Sequence, residues 1–272
     1  MRCAVLGSPI AHSLSPVLHR AAYAELGLDW TYEAIEVDSS GVRAFVEALD
    51  ESWRGLSLTM PLKRAVLPLL DELDAWSEMS GAANTVVLTG GRRAGHNTDV
   101  PGAVAALTER ADGPFGTAVV LGGGATAAST LLALAELGCR ETQLLVREPA
   151  RAKETLAAVA RHRRAPEVSV DRLDRATALP DVDVVVSTIP ADAQSAALVD
   201  RVGAARVVFD VLYDPWPTPL ATAATSRGQV LVGGLDLLVH QAALQVRLMT
   251  GRDAAVASLR AAGERALQDG SR

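Results

Sequence analysis

Two short stretches ahead of a glycine-rich loop carry residue types suited to proton transfer: Ser57-Leu-Thr-Met-Pro-Leu-Lys63 and His96-Asn-Thr-Asp99. The first supplies an ammonium and the second a carboxylate. Oxidising an alcohol needs a group that takes the hydroxyl proton as hydride leaves carbon. Lysine can do this when burial disfavours the charged form, while a nearby carboxylate opposes that effect and orients the ammonium. Lys63 is expected in the first turn of a helix, where a cation opposes the dipole, so a purely structural role is less attractive. From spacing alone, a surface salt bridge between Lys63 and Asp99 is an equal alternative.

The loop itself reads Gly122, Gly123, Gly124, Ala125, Thr126, Ala127, a G-x-G-x-x-A run after an all-apolar strand and before a helix. The first glycine permits a tight turn, the second lets backbone N–H groups approach a pyrophosphate, and the small last residue lets helix pack on strand. A tight strand-to-helix turn without a ligand is the plain alternative. No Gly-Lys-Ser/Thr follows, which excludes a standard P-loop. About twenty residues on, an NAD site offers an acid to the ribose and an NADP site offers arginine to the 2′-phosphate. Here Arg147-Glu-Pro-Ala-Arg151 follows Val146. Two arginines four apart can both face a phosphate, which favours NADP. Glu148 between them keeps NAD possible, and incidental surface charge is the remaining alternative.

The elements that must position these residues follow from the apolar pattern, which alternates β-like and helical runs. It predicts an α/β architecture with mainly parallel sheets. Strands are expected at 2–6, 32–37, 55–59 and 85–88, then at 117–121, 143–146, 168–173, 184–188, 207–211 and 230–232. Helices are expected at 16–26 (capped by Ser15 and stopped by Gly27), 41–49, 62–70, 126–137, 151–162, 193–202 and 219–226. Asp99 falls in an expected loop, and the turn-rich Ala111-Asp-Gly-Pro-Phe-Gly116 reads as a boundary. The tail has apolar residues at 235, 238, 239, 242, 243, 246 and 249, one face of a helix, with Gln241 off that stripe. An alanine-rich amphipathic helix at 254–267 closes the chain.

Bulk properties narrow the class. The chain has 272 residues, 49% of them apolar and 21% charged, and a net charge of −6. That suits two modest globular domains or one large α/β domain, and argues against a nucleic-acid surface. No apolar run is long enough for a membrane span, and the N-terminal apolar run is too short for a secretory signal, so cytoplasmic residence is expected. Cys3 and Cys139 have no disulfide or zinc spacing and read as buried small hydrophobes. The five histidines show no metal-ligand pattern, so no metal is expected. A serine-hydrolase elbow is absent. Arg161-His-Arg-Arg164 reads as a solvated helix end.

Several ordered motifs resemble the shikimate dehydrogenase family, from the N-terminus to about Gly251. They are Gly7-Ser-Pro-Ile-Ala-His-Ser-Leu-Ser-Pro16, the Ser57–Lys63 stretch, Gly81-Ala-Ala-Asn-Thr85, Asn97-Thr-Asp99, the Gly122 loop, Asp210-Val-Leu-Tyr213 with Thr218-Pro-Leu220, and Gly234-Leu-Asp-Leu-Leu-Val-His-Gln-Ala242. The resemblance implies two α/β domains. One is an N-terminal substrate domain, residues 1–101 plus 236–272, completed by the C-terminal helices; the other is a Rossmann-type dinucleotide-binding domain, 102–235. It implies an NADP-dependent oxidoreductase that interconverts 3-dehydroshikimate and shikimate in aromatic amino-acid biosynthesis. Lys63 and Asp99 would be the catalytic pair. Ser13, Ser15 and Tyr213 would hold the substrate carboxylate, and Thr59, Asn84 and Gln241 the ring hydroxyls. Gly122 to Ala127, Arg147, Arg151 and Gly234 would bind the cofactor. His12 would order the Ser13 loop. A small-molecule substrate is the expected partner, without nucleic acid or membrane, and the chain is expected as monomer or homodimer.

Departures concentrate near the cofactor. Val146 and Glu148 replace two members of the family's usual Asn-Arg-Thr-x-x-Arg stretch, and Ser187-Thr-Ile-Pro190 replaces a usual Asn-Ala-Thr-Ser-like run. Elsewhere Ser57 stands where the family usually has asparagine, Leu62 where it has phenylalanine, and Arg20 where it has asparagine. The competing readings are an NAD-linked quinate/shikimate dehydrogenase and a non-catalytic dinucleotide-sensing protein. The presence of both Lys63 and Asp99 argues against the latter.

Overall fold

A computed structural model describes residues 1–175 and 181–270. The chain forms two compact units, Met1–Thr98 with Leu238–Arg272, and Asp99–Leu237.

The first unit begins β1 (Arg2–Gly7), α1 (Ser15–Glu25), β2 (Thr31–Glu36), α2 (Val42–Glu47) and β3 (Trp53–Leu58). Then come α3 (Leu62–Ala65), β4 (Glu72–Leu73), α4 (Ala75–Ser80), β5 (Thr85–Thr89) and β6 (Arg92–His96). The sheet order is β2-β1-β3-β5-β6-β4. β1 pairs in parallel with β2 and β3, whereas β5 runs antiparallel to both β3 and β6. β4 again pairs in parallel with β6, so pairing is mainly parallel as expected, and β5 is the one reversed strand. β6 carries Arg-Arg-Ala-Gly-His, too polar to read as a strand by hydrophobicity. The turn does specify it: Gly90 and Gly91 both have positive φ (57° and 77°), the two-residue hairpin conformation that glycine enters without steric cost.

The second unit contains α5 (Asp99–Arg110), β7 (Thr117–Leu121), α6 (Ala125–Glu136), β8 (Glu141–Val146), α7 (Lys153–Val159) and β9 (Glu167–Arg172). It continues with β10 (Val184–Ser187), α8 (Ala196–Arg201), β11 (Val207–Asp210), α9 (Pro219–Ser226) and β12 (Val230–Val232). All pairings in its sheet are parallel, in the order β12-β11-β10-β7-β8-β9. From β9 inward this is third, second, first, fourth, fifth, sixth, the doubly wound Rossmann order. Its central strands, such as Val184–Ser187 and Val207–Asp210, are buried throughout, as strands covered on both faces must be. α10 (Gly234–Thr250) and α11 (Val256–Gly270) end the chain.

Packing in the first unit follows the pleat. Ala4, Leu6, Leu56, Leu58 and Val86 join one apolar cluster, while Cys3, Val5, Tyr23, Tyr32 and Met249 form another. Gly55 is required because a Cβ there would lie 2.7 Å from Met249 Cγ, so α10 rests directly on the β3 backbone. Both cysteines are buried and free.

Other local expectations change for identifiable reasons. Ser15 does not cap α1; it is the first helical residue, and Ser13 Oγ accepts its N–H at 3.3 Å. The helix expected over 62–70 stops at Ala65 and gives way to a 3₁₀ turn, Leu67–Leu69, because Pro68 has no N–H to continue it. Asp99 begins α5 rather than sitting in a loop. The Ala111–Gly116 run joins α5 to β7 inside the second unit instead of marking its edge. His162 is buried, 2.7 Å from Glu136 Oε1, so that cluster is only partly a solvated helix end.

Candidate active site

One edge of the first sheet collects the candidate residues, and strand direction is the reason. β1 and β3 are parallel, so both end at this edge. β5 reverses, with Thr85 opposite Ser57, so it begins there, and β6 reverses again, with His96 opposite Thr85, so it ends there. The loop after β1, the segment after β3, the residues before β5 and those after β6 therefore emerge together.

After β3, the Thr59 N–H donates to Leu6 O (2.9 Å) and the Thr59 carbonyl accepts from Leu62 N (2.8 Å), turning the chain into α3. Lys63 on α3 is half-buried, and its carbonyl accepts the Ala83 N–H at 2.8 Å, which brings α3 beside Asn84. Asn84 is only 2% exposed. Its Oδ1 accepts the Thr98 N–H at 2.9 Å, a contact that only an oxygen can satisfy. Nδ2 then donates to Thr98 Oγ1 (2.9 Å) and Gln241 Oε1 (3.3 Å), while Gln241 Nε2 donates to Leu238 O (3.0 Å). Asn97 is anchored by donating to Ser80 Oγ (2.9 Å) and Ala82 O (3.0 Å). Asp74 accepts from Ser77 N (2.7 Å) and Asn97 N (3.2 Å). Burial works against the Asp74 carboxylate, but the bonds from His96 and Ser77 outweigh it and hold its pKa below the usual value. Asp99, 5% exposed, follows as the first residue of α5, where an acid suits the helix dipole.

Beneath these residues lies a polar layer that the sequence reading did not single out. Tyr32 OH donates to Ser57 Oγ at 2.6 Å, and Ser57 Oγ donates to Gln245 Oε1 at 2.9 Å. Gln245 Nε2 donates to Thr85 Oγ1 (2.9 Å) and Asn84 O (3.2 Å). His19 stacks on Tyr32, with ring centroids 4.0 Å apart, and meets Gln245 Oε1 through Nε2 at 3.2 Å. Burial pushes the Tyr32 phenol well above its ordinary pKa, so it remains a donor. Burial lowers His19 to about 4, against the smaller raising effect of its Gln245 bond, so the ring is neutral near pH 7. The available sequence signal was the spacing of Gln241 and Gln245, one helical turn apart on α10.

In the second unit the corresponding groups lie at the carboxyl ends of β7, β8 and β11. Gly122 has φ +105°, and a Cβ on it would lie 2.3 Å from Thr188 Oγ1, so no side chain fits. Gly123 O accepts from Thr155 Oγ1 at 2.8 Å, tying the loop to α7. No side chain caps α6 at Gly124, so the backbone N–H groups of Ala125, Thr126 and Ala127 form the helix's uncapped first turn. Ala127 is fully buried, which lets α6 pack closely. Arg147 and Arg151 are both exposed just past β8, with Glu148 between them. This backbone cradle and the two guanidinium groups fit a dinucleotide with an additional phosphate.

Tyr213 sits half-buried after β11. The buried Asp210 pins its loop by accepting from Thr218 Oγ1 (2.7 Å), Gln194 Nε2 (2.9 Å) and Leu212 N (3.2 Å). Burial raises the Asp210 pKa, and these bonds offset it only in part. Gly234 N donates to Leu212 O at 3.1 Å, and a Cβ on Gly234 would lie 2.4 Å from Leu212 C, so the start of α10 abuts the Tyr213 loop. Among the described residues, no group of three or more His, Cys, Asp or Glu could hold a metal, and no helix is long and apolar enough to cross a membrane.

The family model of the shikimate dehydrogenase substrate binding domain matches residues 5–86, and that of the shikimate 5'-dehydrogenase C-terminal domain matches 234–262. A shikimate dehydrogenase (NADP(+)) from Moorella thermoacetica is 36% identical over 264 residues, covering 93% of this chain and 89% of the relative. The crystal structure of Mycobacterium tuberculosis shikimate dehydrogenase is 38% identical with a TM-score of 0.85, covering 97% of this chain and 99% of that one. A shikimate 5-dehydrogenase from Thermus thermophilus, solved with NADP(H) and shikimate, is 30% identical with a TM-score of 0.82, covering 98% and 99% of the two chains. With relatives this similar along nearly its whole length, the chain belongs to the shikimate dehydrogenase family.

Proposed function

We propose that this chain catalyses the reversible, NADP-dependent reduction of 3-dehydroshikimate to shikimate in aromatic amino-acid biosynthesis. The observation that carries this reading is the fixed set of neutral donors around Asn84, immediately before Asp99, in a chain with the family's end-to-end similarity. Hydroxyls and amides suit a polyhydroxylated acid better than a strongly charged ligand. Bound NADP supplies a nicotinamide that exchanges hydride with the substrate carbon.

The chain's own residues do the rest. Lys63 takes the hydroxyl proton as the alcohol becomes a ketone and returns it in the reverse direction, and Asp99 orients the ammonium. Ser13, Ser15 and Tyr213 hold the substrate carboxylate with O–H donors. Thr59, Asn84 and Gln241 hold the ring hydroxyls. The Gly122–Ala127 backbone receives the pyrophosphate, Gly234 keeps the α10 start close to it, and Arg147 and Arg151 receive the 2′-phosphate. Residues 1–101 with 236–272 form the substrate domain and 102–235 the NADP domain. The enzyme works in the cytoplasm as a monomer or homodimer, which light scattering on the purified chain separates.

Initial rates with shikimate and quinate, each crossed with NADP and NAD, test this reading. The highest rate is expected with shikimate and NADP. Exposed Glu148 favours one second reading, an NAD-linked quinate/shikimate dehydrogenase. Higher activity with quinate and NAD would establish it, and cofactor binding without turnover in any combination would make the chain a sensor.

A further inference from the structure

A run of side chains, Tyr32, Ser57, Gln245 and Thr85, leads to Asn84 and has no role in the reaction as written above. Ser57 and Thr85 are direct partners across the antiparallel β3–β5 pair, so their hydroxyls stand on one face of the sheet. Gln245, from α10, closes over that pair. Its Nε2 donates to Thr85 Oγ1 and to the Asn84 carbonyl, at 2.9 and 3.2 Å. A carbonyl only accepts, which fixes the nitrogen end of the amide. Oε1 must then face Ser57 and His19, and His19 must carry its proton on Nε2 to donate to it. His19 Nδ1 has no hydrogen-bond partner among the described residues, so Gln245 alone selects the tautomer. Tyr32 completes the run by donating its hydroxyl to Ser57 Oγ.

The sequence explains why an amide comes from a helix here. An asparagine on β3 would place its own amide opposite Thr85, and serine is too short to do so. Gln245 is 1% exposed and brings an amide to that place from α10.

We propose that Gln245 is a positioning residue for the substrate pocket: its amide, bonded to Thr85 and to the Asn84 carbonyl, holds Asn84 in register for the substrate. This rests on the reading of Asn84 as a substrate contact. Removing the amide takes one donor from Thr85 Oγ1 and one from the Asn84 carbonyl, both out of reach of water.

The test is steady-state kinetics of the full chain, with shikimate and NADP varied separately. Gln245→Ala is expected to raise the KM for shikimate about tenfold or more, the scale of a lost buried hydrogen bond, and to leave the KM for NADP unchanged. Adding Ser57→Asn to that variant is expected to recover most of the loss, because the asparagine restores an amide opposite Thr85. Gln245→Met, which keeps the volume and removes the polarity, serves if the alanine variant does not fold, and the same selective KM rise is expected. A merely structural role would reduce the active fraction, hence kcat, without a selective KM change and without recovery by Ser57→Asn; either result overturns the proposal. Wild-type protein that does not turn over shikimate overturns the underlying reading as well, whereas active wild type with an unaltered variant overturns this inference alone.

Discussion

The two units build their sites from opposite materials. In the first, buried side chains locked to one another form the centre: Asn84 is 2% exposed and Gln241 7%. In the second, the candidates are backbone N–H groups at an uncapped helix start and two exposed arginines. The sheets explain the contrast. An all-parallel sheet sends every strand into a loop at one edge, which suits a backbone cradle for phosphate. The mixed sheet of the first unit brings strand starts and strand ends to the same edge, so residues far apart in sequence interlock through their side chains. A side-chain site of that kind recognises a particular small molecule, while a backbone cradle recognises a charge common to many cofactors.

The largest expected effect breaks the comparison at the chemistry. Lys63→Ala should lower kcat by about a hundredfold or more, the usual scale for a lost acid–base group, and change the KM values much less. Near-normal kcat would remove Lys63 from the proton-transfer role.

A second measurement probes the buried layer of the first unit through pH. His19 is held neutral in the fold, with its pKa lowered by burial from about 6.5 to about 4. Between these values the unfolded chain binds the proton and the folded chain does not, so stability is complete above about pH 6.5 and falls as pH drops toward 4. The loss is roughly 3 kcal/mol. Urea unfolding across this window should show His19→Gln losing less stability than wild type by about that amount. Parallel curves would mean that His19 is not buried as a neutral ring.

Two substitutions test the second unit, where smaller effects are expected. Gly122→Ala forces a side chain into a positive-φ position already crowded by Thr188. NADP should bind about tenfold more weakly, a size matching backbone strain of roughly 1–3 kcal/mol, as followed by cofactor titration. Arg147→Ala and Arg151→Ala should each raise the KM for NADP by about tenfold or less and leave that for NAD unchanged. Equal effects on the two cofactors would mean that these arginines do not read the 2′-phosphate.

The second unit was largely legible from its residues. Its glycine spacing, apolar strands and βαβ alternation are local signals, since a positive φ or a missing Cβ acts within a few residues. In the first unit, motifs pointed to Lys63, Asn84 and Gln241, but not to the arrangement around them. The Gly90-Gly91 turn was a readable hairpin signal masked by the polar character of β6. Asp99 was expected in a loop but starts a helix, since Pro101 is tolerated in a first turn.

What the sequence determined by itself was the fold class and the family, because each depends on residue type and short spacing. Only the tertiary structure decided that Ser57, Thr85 and Gln245 meet, that Gln245 orients the His19 ring, and that Asn84 is fixed between Thr98 and Gln241. Those contacts depend on β5 reversing beside β3 and on α10 returning to cover the pair, and strand direction is a property of the whole sheet that no single segment encodes.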